Sequence, residues 1–332
     1  MILEEKLKAL DTGDKVLIMP HDNPDPDALA SAWGLSFLLE KEREINSTIA
    51  YGGLIGRAEN RAMVRELGIP LQRYHDGLLK KHTRVIMVDC QPHTGNSSLP
   101  ENVDPDIVID HHSRRETTRP KLWSLINENI GATSTIIASN LKSTGYKIPS
   151  NLVTALFYAI SSETKDLGWE GTQTDYENYV YLLPRVDFQK LHRITHPPLS
   201  KEYYQSLKQA LDKSRVFEFA VITPMGDVPY PELPAEIADF LLFREEILIS
   251  LAMGVHQNNL FLSMRSLSRR FDAADIMLAI LNDLGRGGGH LAMAGGKVSE
   301  ISSNDINKIR GTLIKRFLRE LSISSSREKT LY

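Results

Sequence analysis

Val16-Leu17-Ile18-Met19-Pro20-His21-Asp22-Asn23-Pro24-Asp25-Pro26-Asp27-Ala28 begins as an apolar run and ends in acids, an imidazole and prolines. A short run rich in branched residues, stopped by polar ones, reads as a buried strand of a parallel sheet. Two further runs follow the same plan. Val85 to Val88 leads into Asp89-Cys90, and Ile107 to Ile109 leads into Asp110-His111-His112. Three strands of one parallel sheet bring such tips to one edge, where open α/β sheets bind ligands. Hard carboxylate oxygens mixed with imidazole suit manganese, magnesium or a similar divalent ion. The pattern predicts a metal-dependent enzyme with two metals.

The 332 residues exceed a usual single core, so two domains are expected. With 42% hydrophobic and 24% charged residues, the composition is that of an ordinary globular protein. A net charge of −3 argues against a broad basic surface for long duplex nucleic acid. It leaves room for a small anionic substrate neutralised locally by metals and a few cations. The one cysteine, Cys90, excludes an internal disulfide and fits a reducing compartment; it reads as a packed strand-end residue. With no signal peptide and no run of about 18 apolar residues, a cytoplasmic protein without a membrane partner is expected.

The first half alternates strands with helices. After the strand Lys15–Met19 and the loop His21–Pro26, a helix is expected from Asp27 to Lys41, with Pro26 suited to its first turn. Ser47–Tyr51 reads as a strand, and Glu59–Leu67, Gly131–Ser143 and Leu152–Ser161 read as helices. The βαβ rhythm implies a parallel sheet with helices on both faces. Arg193 to Ser200, with Pro197-Pro198, is the best linker. Beyond it come a helix at Lys201–Ser214, strands at Val216–Ile222, Leu248–His256 and Leu260–Arg265, a hairpin turn at Asn258-Asn259, and helices at Phe271–Leu284 and Asn304–Leu321. A smaller α/β second domain is expected.

Taken singly, each motif has an ordinary explanation: a loop of helix-capping residues, a capped helix start, a glycine turn. Taken in order over residues 15 to 298, they resemble the DHH phosphoesterase family with a C-terminal DHHA1 domain. The resemblance implies a catalytic domain at 1–192, a linker at 193–200, a substrate-binding domain at 201–325 and a frayed tail at 326–332. It implies His21 and Asp25 on a first metal, Asp27 and His111 on a second, Asp89 bridging, His112 beside the phosphate and Asp110 orienting imidazole. The family usually has Asp-Thr after an apolar helix, where this chain has Ser161-Ser162-Glu163-Thr164-Lys165-Asp166. Glu163 aligns with the expected ligand, with Asp166 the alternative. In the second domain Ser263, Arg265, Gly287, Gly288, Gly289 and His290 resemble the substrate-binding signature. Arg265 offers a fork for phosphate, and the glycines allow backbone N–H groups to approach an anion. His75, His82, His93, His192, His196 and His256 have no such company and read as surface or packed residues.

The implied cofactors are two divalent ions, manganese first and magnesium as the alternative. A water shared between metals bridged by Asp89 would be acidified for attack on phosphorus. The second domain would clamp the substrate's end, with a hinge near Pro197-Pro198. The chain is short for the nucleic-acid modules of RecJ-type exonucleases and shows no membrane or sensor segment of the tethered phosphodiesterases. Family II pyrophosphatases lack the Gly-Gly-Gly-His motif. The chain most resembles the compact two-domain, oligoribonuclease-like members, and that resemblance implies hydrolysis of short single-stranded oligonucleotides, linear dinucleotides and 3′-phosphoadenosine 5′-phosphate as the expected activity. The alternatives are a soluble cyclic-dinucleotide phosphodiesterase and a catalytically retired nucleotide-binding protein. A homodimer is compatible with the chain.

Overall fold

A computed structural model describes residues 2–169, 171–289, 291–302 and 304–332. The chain divides into two compact units, one through Pro197 and one from Pro198.

The first unit runs α1 (Ile2–Leu7), β1 (Val16–Pro20), α2 (Pro26–Arg43), β2 (Ser47–Tyr51), α3 (Ala58–Leu67), β3 (Leu71–Arg73), α4 (Asp76–Leu79), β4 (Arg84–Val88), β5 (Ile107–Asp110), β6 (Trp123–Ile126), α5 (Thr133–Thr144), α6 (Ser150–Glu163), α7 (Gln173–Leu182) and α8 (Phe188–Thr195). Its strands form one parallel sheet in the order β3-β2-β1-β4-β5-β6. The three apolar runs are β1, β4 and β5, side by side, and the chain order reverses between β1 and β4. That reversal opens a crevice at the carboxyl ends of the strands, and His21 and Asp89 sit on either side of it.

Both faces of the sheet are covered, unequally. One carries a large core in which β1, β4 and β5 pack against α2, α5 and α6. The other is closed by Leu78 of α4 and by Cys90 and Leu99 of the loop after β4, against Leu17, Met19 and Met87. Cys90 is therefore the packed residue expected, and burial drives its thiol pKa well up. Helix α2 lies between the sheet and the outer helices, so it is buried nearly all round from Pro26 to Leu35. Asp25 starts it by accepting the Ala28 N–H, Pro26 fits the first turn, and Glu44 stops it in a left-handed conformation. Helix α6 buries nine consecutive residues, Leu152 to Ile160. Each large apolar side chain there contributes about 1.5–3 kcal/mol.

The linker is shorter than the sequence suggests. Arg193 to Thr195 complete α8, which packs on α3 and α6. Pro197 bars the helical conformation at His196 but leaves the preceding turn intact.

The second unit contains α9 (Lys201–Lys213), β7 (Arg215–Phe217), β8 (Ala220–Asp227), α10 (Leu233–Leu241), β9 (Ile249–His256), β10 (Asn259–Ser266), α11 (Ala273–Leu281), β11 (Arg286–Gly289), β12 (Met293–Val298), α12 (Ile306–Glu320) and β13 (Glu328–Thr330). Its seven strands form a mixed sheet, β11-β12-β10-β9-β8-β7-β13. Helix α10 makes the crossover that lets β8 run parallel to β9. The β9–β10 hairpin exists, but its turn is Gln257-Asn258, both left-handed, and Asn259 already pairs with His256. The tail expected to fray lies down instead: Glu328 to Thr330 pair antiparallel with β7, and the Tyr332 hydroxyl donates to Asp212 at 2.9 Å. An unpaired edge on β7 supplies backbone partners that a polar sequence does not reveal.

Gly34 marks where α2 meets α5 and α6. A Cβ there would stand 2.5 Å from Ile137 Cγ2 and 3.5 Å from Leu156 Cδ2. Gly34→Ala should therefore cost about 1–3 kcal/mol by overpacking, despite alanine's better helix propensity. Urea denaturation checks this; a more stable variant would mean that the helices can part without penalty.

Candidate metal centre

Each tip is held by its own local chemistry before any ligand arrives. The loop after β1 is tied down by Asp22, whose carboxylate accepts the Ser98 N–H at 2.9 Å and its hydroxyl at 3.0 Å. A Cβ on Gly52 would stand 2.0 Å from that same carboxylate, so only glycine fits opposite it. His21 Nδ1 lies 2.9 Å from the Asp22 carbonyl, which can only accept, so Nδ1 carries the hydrogen and Nε2 faces inward. His21 Nε2 then lies 3.6 Å from both Asp25 Oδ2 and Asp89 Oδ2. Asp89 sits at the end of β4 in a left-handed conformation, φ 58, with its N–H bonded to Ile109. Only 2% of it is exposed.

Opposite His21 stands His111. Its Nε2 is 3.7 Å from Asp89 Oδ1 and 4.0 Å from Asp27 Oδ2, and although buried it has no hydrogen-bond partner among the described residues. Asp110 is fully buried, and its Oδ1 accepts the His111 N–H at 2.9 Å and His112 Nδ1 at 2.8 Å. The ligand atoms of His21, Asp25 and Asp89 lie within 4.8 Å of one another, and so do those of Asp89, His111 and His112. Asp89 belongs to both groups.

In the fourth predicted region the two candidate acids, Glu163 and Asp166, have different surroundings. Burial, then Asp25 and Asp27, push the Glu163 carboxyl up to about 8, so it shares the field of the cluster. Asp166 is exposed, in the left-handed turn of Lys165, Asp166 and Leu167, and its carboxylate accepts the Ser161 hydroxyl.

The electrostatics are those of carboxylates crowded without cations. Burial, then Asp27 and Asp25, hold Asp89 well above the ordinary carboxyl range. Burial raises Asp27 too, although His111 opposes it. Burial disfavours charge on His21, but the hydrogen bond and charge of Asp25 outweigh it and push the imidazole up to about 9. Burial and the neighbouring His112 hold His111 low, hence neutral and able to donate a lone pair. These observations fit divalent cations: a carboxylate common to two donor groups, a neutral buried imidazole nitrogen without a partner, and acids that keep protons for want of positive charge.

Sequence reasoning missed two supports. Gln91, 3% exposed, donates to Asp110 Oδ2 at 2.7 Å and to the Ser113 carbonyl at 3.1 Å, and accepts from Arg115 N–H and the Thr118 hydroxyl. It joins the β4 and β5 tips and fixes Asp110 behind His112. Thr133 and Ser134 hold Asp27 through their backbone N–H groups. Gln91 follows the Asp89 tip by two residues, which is a signal of sorts; Thr133 carries none.

The DHH family N-terminal domain model matches residues 15–160, and the DHHA1 domain model matches residues 231–320. The chain carries a DHH family N-terminal domain followed by a DHHA1 domain. Among its relatives, an uncharacterised protein of Methanocaldococcus jannaschii is 33% identical over 297 residues, covering 89% of this chain and 59% of that protein. A probable manganese-dependent inorganic pyrophosphatase of Enterococcus faecalis is 27% identical over 152 residues, 45% of this chain and 48% of that protein. The chain thus spans about half to three-fifths of the length of these curated relatives. Among solved structures, an exopolyphosphatase-related protein from Bacteroides fragilis shares the fold, with a TM-score of 0.72 at 15% identity over 96% of both chains. Among the described residues, no helix is long and apolar enough to cross a membrane.

The DHHA1 residues form a group within the second unit. Ser263 pairs with Gly295, which pairs with Gly288, so serine and glycine share one row across three strands. The glycines lie in β11 rather than in a free turn: a Cβ on Gly287 would stand 2.6 Å from Leu281 Cδ1, and one on Gly289 2.2 Å from the Met293 carbonyl. Close packing of β11 on β12 and α11 thus demands Gly287 and Gly289 independently of any anion. Arg265, 8% exposed, spends its fork on Asp239, at 2.7 and 3.3 Å, and on the Ser263 hydroxyl at 2.8 Å. His290 lies outside the described residues.

In the metal-free protein His21 keeps its proton to about pH 9, against an ordinary value of 6.5, and Glu163 to about pH 8, against 4.5. For both groups the folded chain holds a proton that the unfolded chain has released. Their contribution is therefore fully present at the acid end of each window and lost as pH rises through it. Chelated protein should melt at a lower temperature at pH 8.5 than at pH 6.5. Manganese should narrow or reverse that gap, because cations replace those protons. A Glu163→Gln variant should show a flatter dependence in chelator. Melting curves insensitive to pH in chelator would remove the buried protons from the account.

Proposed function

We propose that the first unit is a two-cation phosphoester hydrolase centre. Its substrates are short oligonucleotides, linear dinucleotides above all, and 3′-phosphoadenosine 5′-phosphate. The observation that carries this reading is the single buried carboxylate, Asp89, common to two groups of ligand atoms. His21, Asp25 and Asp89 would hold one cation, and Asp27, Asp89, His111 and Glu163 the other, with manganese the first choice. Divalent cations bound there would supply charge to the phosphoryl oxygens and acidify water for attack on phosphorus.

The chain's own groups do the positioning. His112 is half exposed, so it can meet a substrate, and its Nδ1 is held by Asp110. Burial works against charge on His112, but the Asp110 hydrogen bond outweighs it and raises the imidazole pKa. Burial likewise opposes ionisation of Asp110, yet His112 and Gln91 hold its carboxyl low. The pair thus places a carboxylate behind the imidazole and favours its protonated form, in which Nε2–H can donate to a phosphoryl oxygen as charge moves. The backbone of α5 and the hydroxyl of Thr133 keep Asp27 and Asp89 turned inward, so no side chain need rotate when substrate enters. No serine is required as a nucleophile.

Substrate choice rests on the second unit rather than on the cations. The pyrophosphatase relatives align over about half of this chain, and residues 231–320 of the second unit match the DHHA1 model. That combination favours a substrate with a nucleoside to grip over bare pyrophosphate. Ser263, Arg265 and the β11 glycines are the proposed grip, with Asp239 the acid that a phosphate would have to share with Arg265.

A turnover panel with manganese tests this: a 5′-phosphorylated dinucleotide, a longer oligomer, 3′-phosphoadenosine 5′-phosphate, a cyclic dinucleotide, pyrophosphate and polyphosphate. Mononucleotides released fastest from the dinucleotide are the expected result. Preference for the cyclic dinucleotide or for inorganic phosphates would replace the substrate but keep the centre. Asp89→Asn should lower kcat by at least about a hundredfold, as loss of a major electrostatic contribution does, and normal turnover by that variant would sink the two-cation reading.

A further inference from the structure

We infer that Thr133 is a positioning residue for the metal centre and that the buried carboxylate of Asp175 holds it in place; this rests on the metal-centre reading above. Helix α5 begins at Thr133, after Ala132, which offers no capping side chain. Its cap comes from elsewhere: the Thr133 and Ser134 N–H groups donate to Asp27 Oδ2 and Oδ1, each at 2.7 Å. The Thr133 hydroxyl donates to Asp89 Oδ1 at 2.8 Å. One helical turn therefore holds two carboxylates from different elements, Asp27 of the first turn of α2 and Asp89 at the end of β4. Thr133 and Ser134 are fully buried, and Asp27 and Asp89 are 1% and 2% exposed. The helix N-terminus also presents its positive dipole end to both acids.

Asp175 fixes that turn from behind. It is fully buried, and its Oδ2 accepts the Gly131 N–H at 2.8 Å and the Thr172 N–H at 2.8 Å, while Oδ1 accepts the Thr135 hydroxyl. It is also the third residue of the capping box of α7. The same carboxylate thus starts α7 and anchors the residues on either side of Ala132, Thr133 and Ser134. A buried acid with each oxygen satisfied across 40 and 44 residues of sequence is a fixed point.

The consequence concerns the direction of lone pairs. Two oxygens of Asp27 and one of Asp89 are each occupied on one side by a donor from α5. Of the oxygens so held, Asp27 Oδ2 and Asp89 Oδ1 lie 4.0 and 3.7 Å from His111 Nε2, and the other Asp89 oxygen lies 3.6 Å from His21 Nε2. Hydrogen bonds to ligand carboxylates commonly change metal affinity by about 10–100-fold when removed. Thr133 supplies such a bond to the carboxylate common to both groups, and its shape has an apolar counterpart in valine.

The experiment is manganese titration of the full chain, read by the loss of the free-ion electron paramagnetic resonance signal and by calorimetry. Thr133→Val should weaken the tighter manganese site by about 10–100-fold, and Thr133→Ser, which keeps the hydroxyl, should restore most of it. Asp175→Asn should weaken manganese as well, through the displaced turn, and covers the case in which Thr133→Val does not fold. A wild-type chain that takes up no manganese would overturn the metal-centre reading itself. Wild-type uptake with unchanged affinity in Thr133→Val or in Asp175→Asn would overturn this inference alone. An equal loss in Thr133→Ser and Thr133→Val would also overturn it, because the hydroxyl would then not be the cause.

Discussion

Asp25, Asp27, Asp89 and Glu163 gather their charges where β1 and β4 diverge, and nearly everything around the site answers that repulsion. Acids so crowded, two of them buried, cannot all ionise in the absence of positive charge. The protein meets part of the demand with fixed dipoles: the first turn of α2 for Asp25 and the first turn of α5 for Asp27. It meets another part with imidazole, which pairs His21 with Asp25 and Asp89. What remains shows as raised carboxyl pKa values on Glu163 and Asp89. A crevice that holds protons for lack of charge is a crevice with affinity for cations.

The fold supplies the crevice for reasons unrelated to chemistry. Parallel strands buried on both faces must be apolar, so their polar residues collect at the tips. With the strand order reversing beside β1, the tips of β1, β4 and β5 stand together at the opening. Hence the same runs that identify the sheet also identify the site, and His21, Asp25, Asp89 and His111 stand out in the amino-acid sequence alone. The clustering follows from strand adjacency, which the βαβ rhythm specifies.

Other parts are illegible in the sequence because their meaning is created by contacts far apart along the chain. Thr133 reads as one more polar residue in a helix start, and only the approach of Asp89, 44 residues earlier, gives its hydroxyl a purpose. Gln91 has the same history with Asp110 and the loop that follows it. Asp175 reads as a capping residue, which it is, but its second duty to Gly131 and Thr135 needs α5 beside α7. In the second unit the glycines signal an anion cradle, yet β11 also needs them to lie flat on β12, so their sequence signal has two causes. The polar tail reads as loose because its partner, the edge of β7, leaves no mark on the tail's own composition. Helix α10 has no place in the run of strands read between Val216 and His256, and without it the parallel pairing of β8 and β9 has no crossover.

Glu163 shows how local and tertiary demands combine at one position. It is the last residue of α6, where the carbonyl end of the helix is already negative, so its own charge is disfavoured there. The chain then turns sharply through Lys165, Asp166 and Leu167, all left-handed, at a conformational cost that ordinary loops avoid. That turn carries the Asp166 carboxylate back to Ser161, where it cannot compete for the crevice. Glu163 is left as the acid of this segment exposed to the field of Asp25, Asp27, His21 and His112. A helix C-terminus and an acid together form a poor place for an anion and a good one for a cation. An extra methylene relative to aspartate matters less than this placement, since a longer side chain can still reach from the end of a helix that is fixed. The Glu that stands where the family usually has Asp thus remains in the field of the cluster, while the left-handed turn behind it takes Asp166 elsewhere.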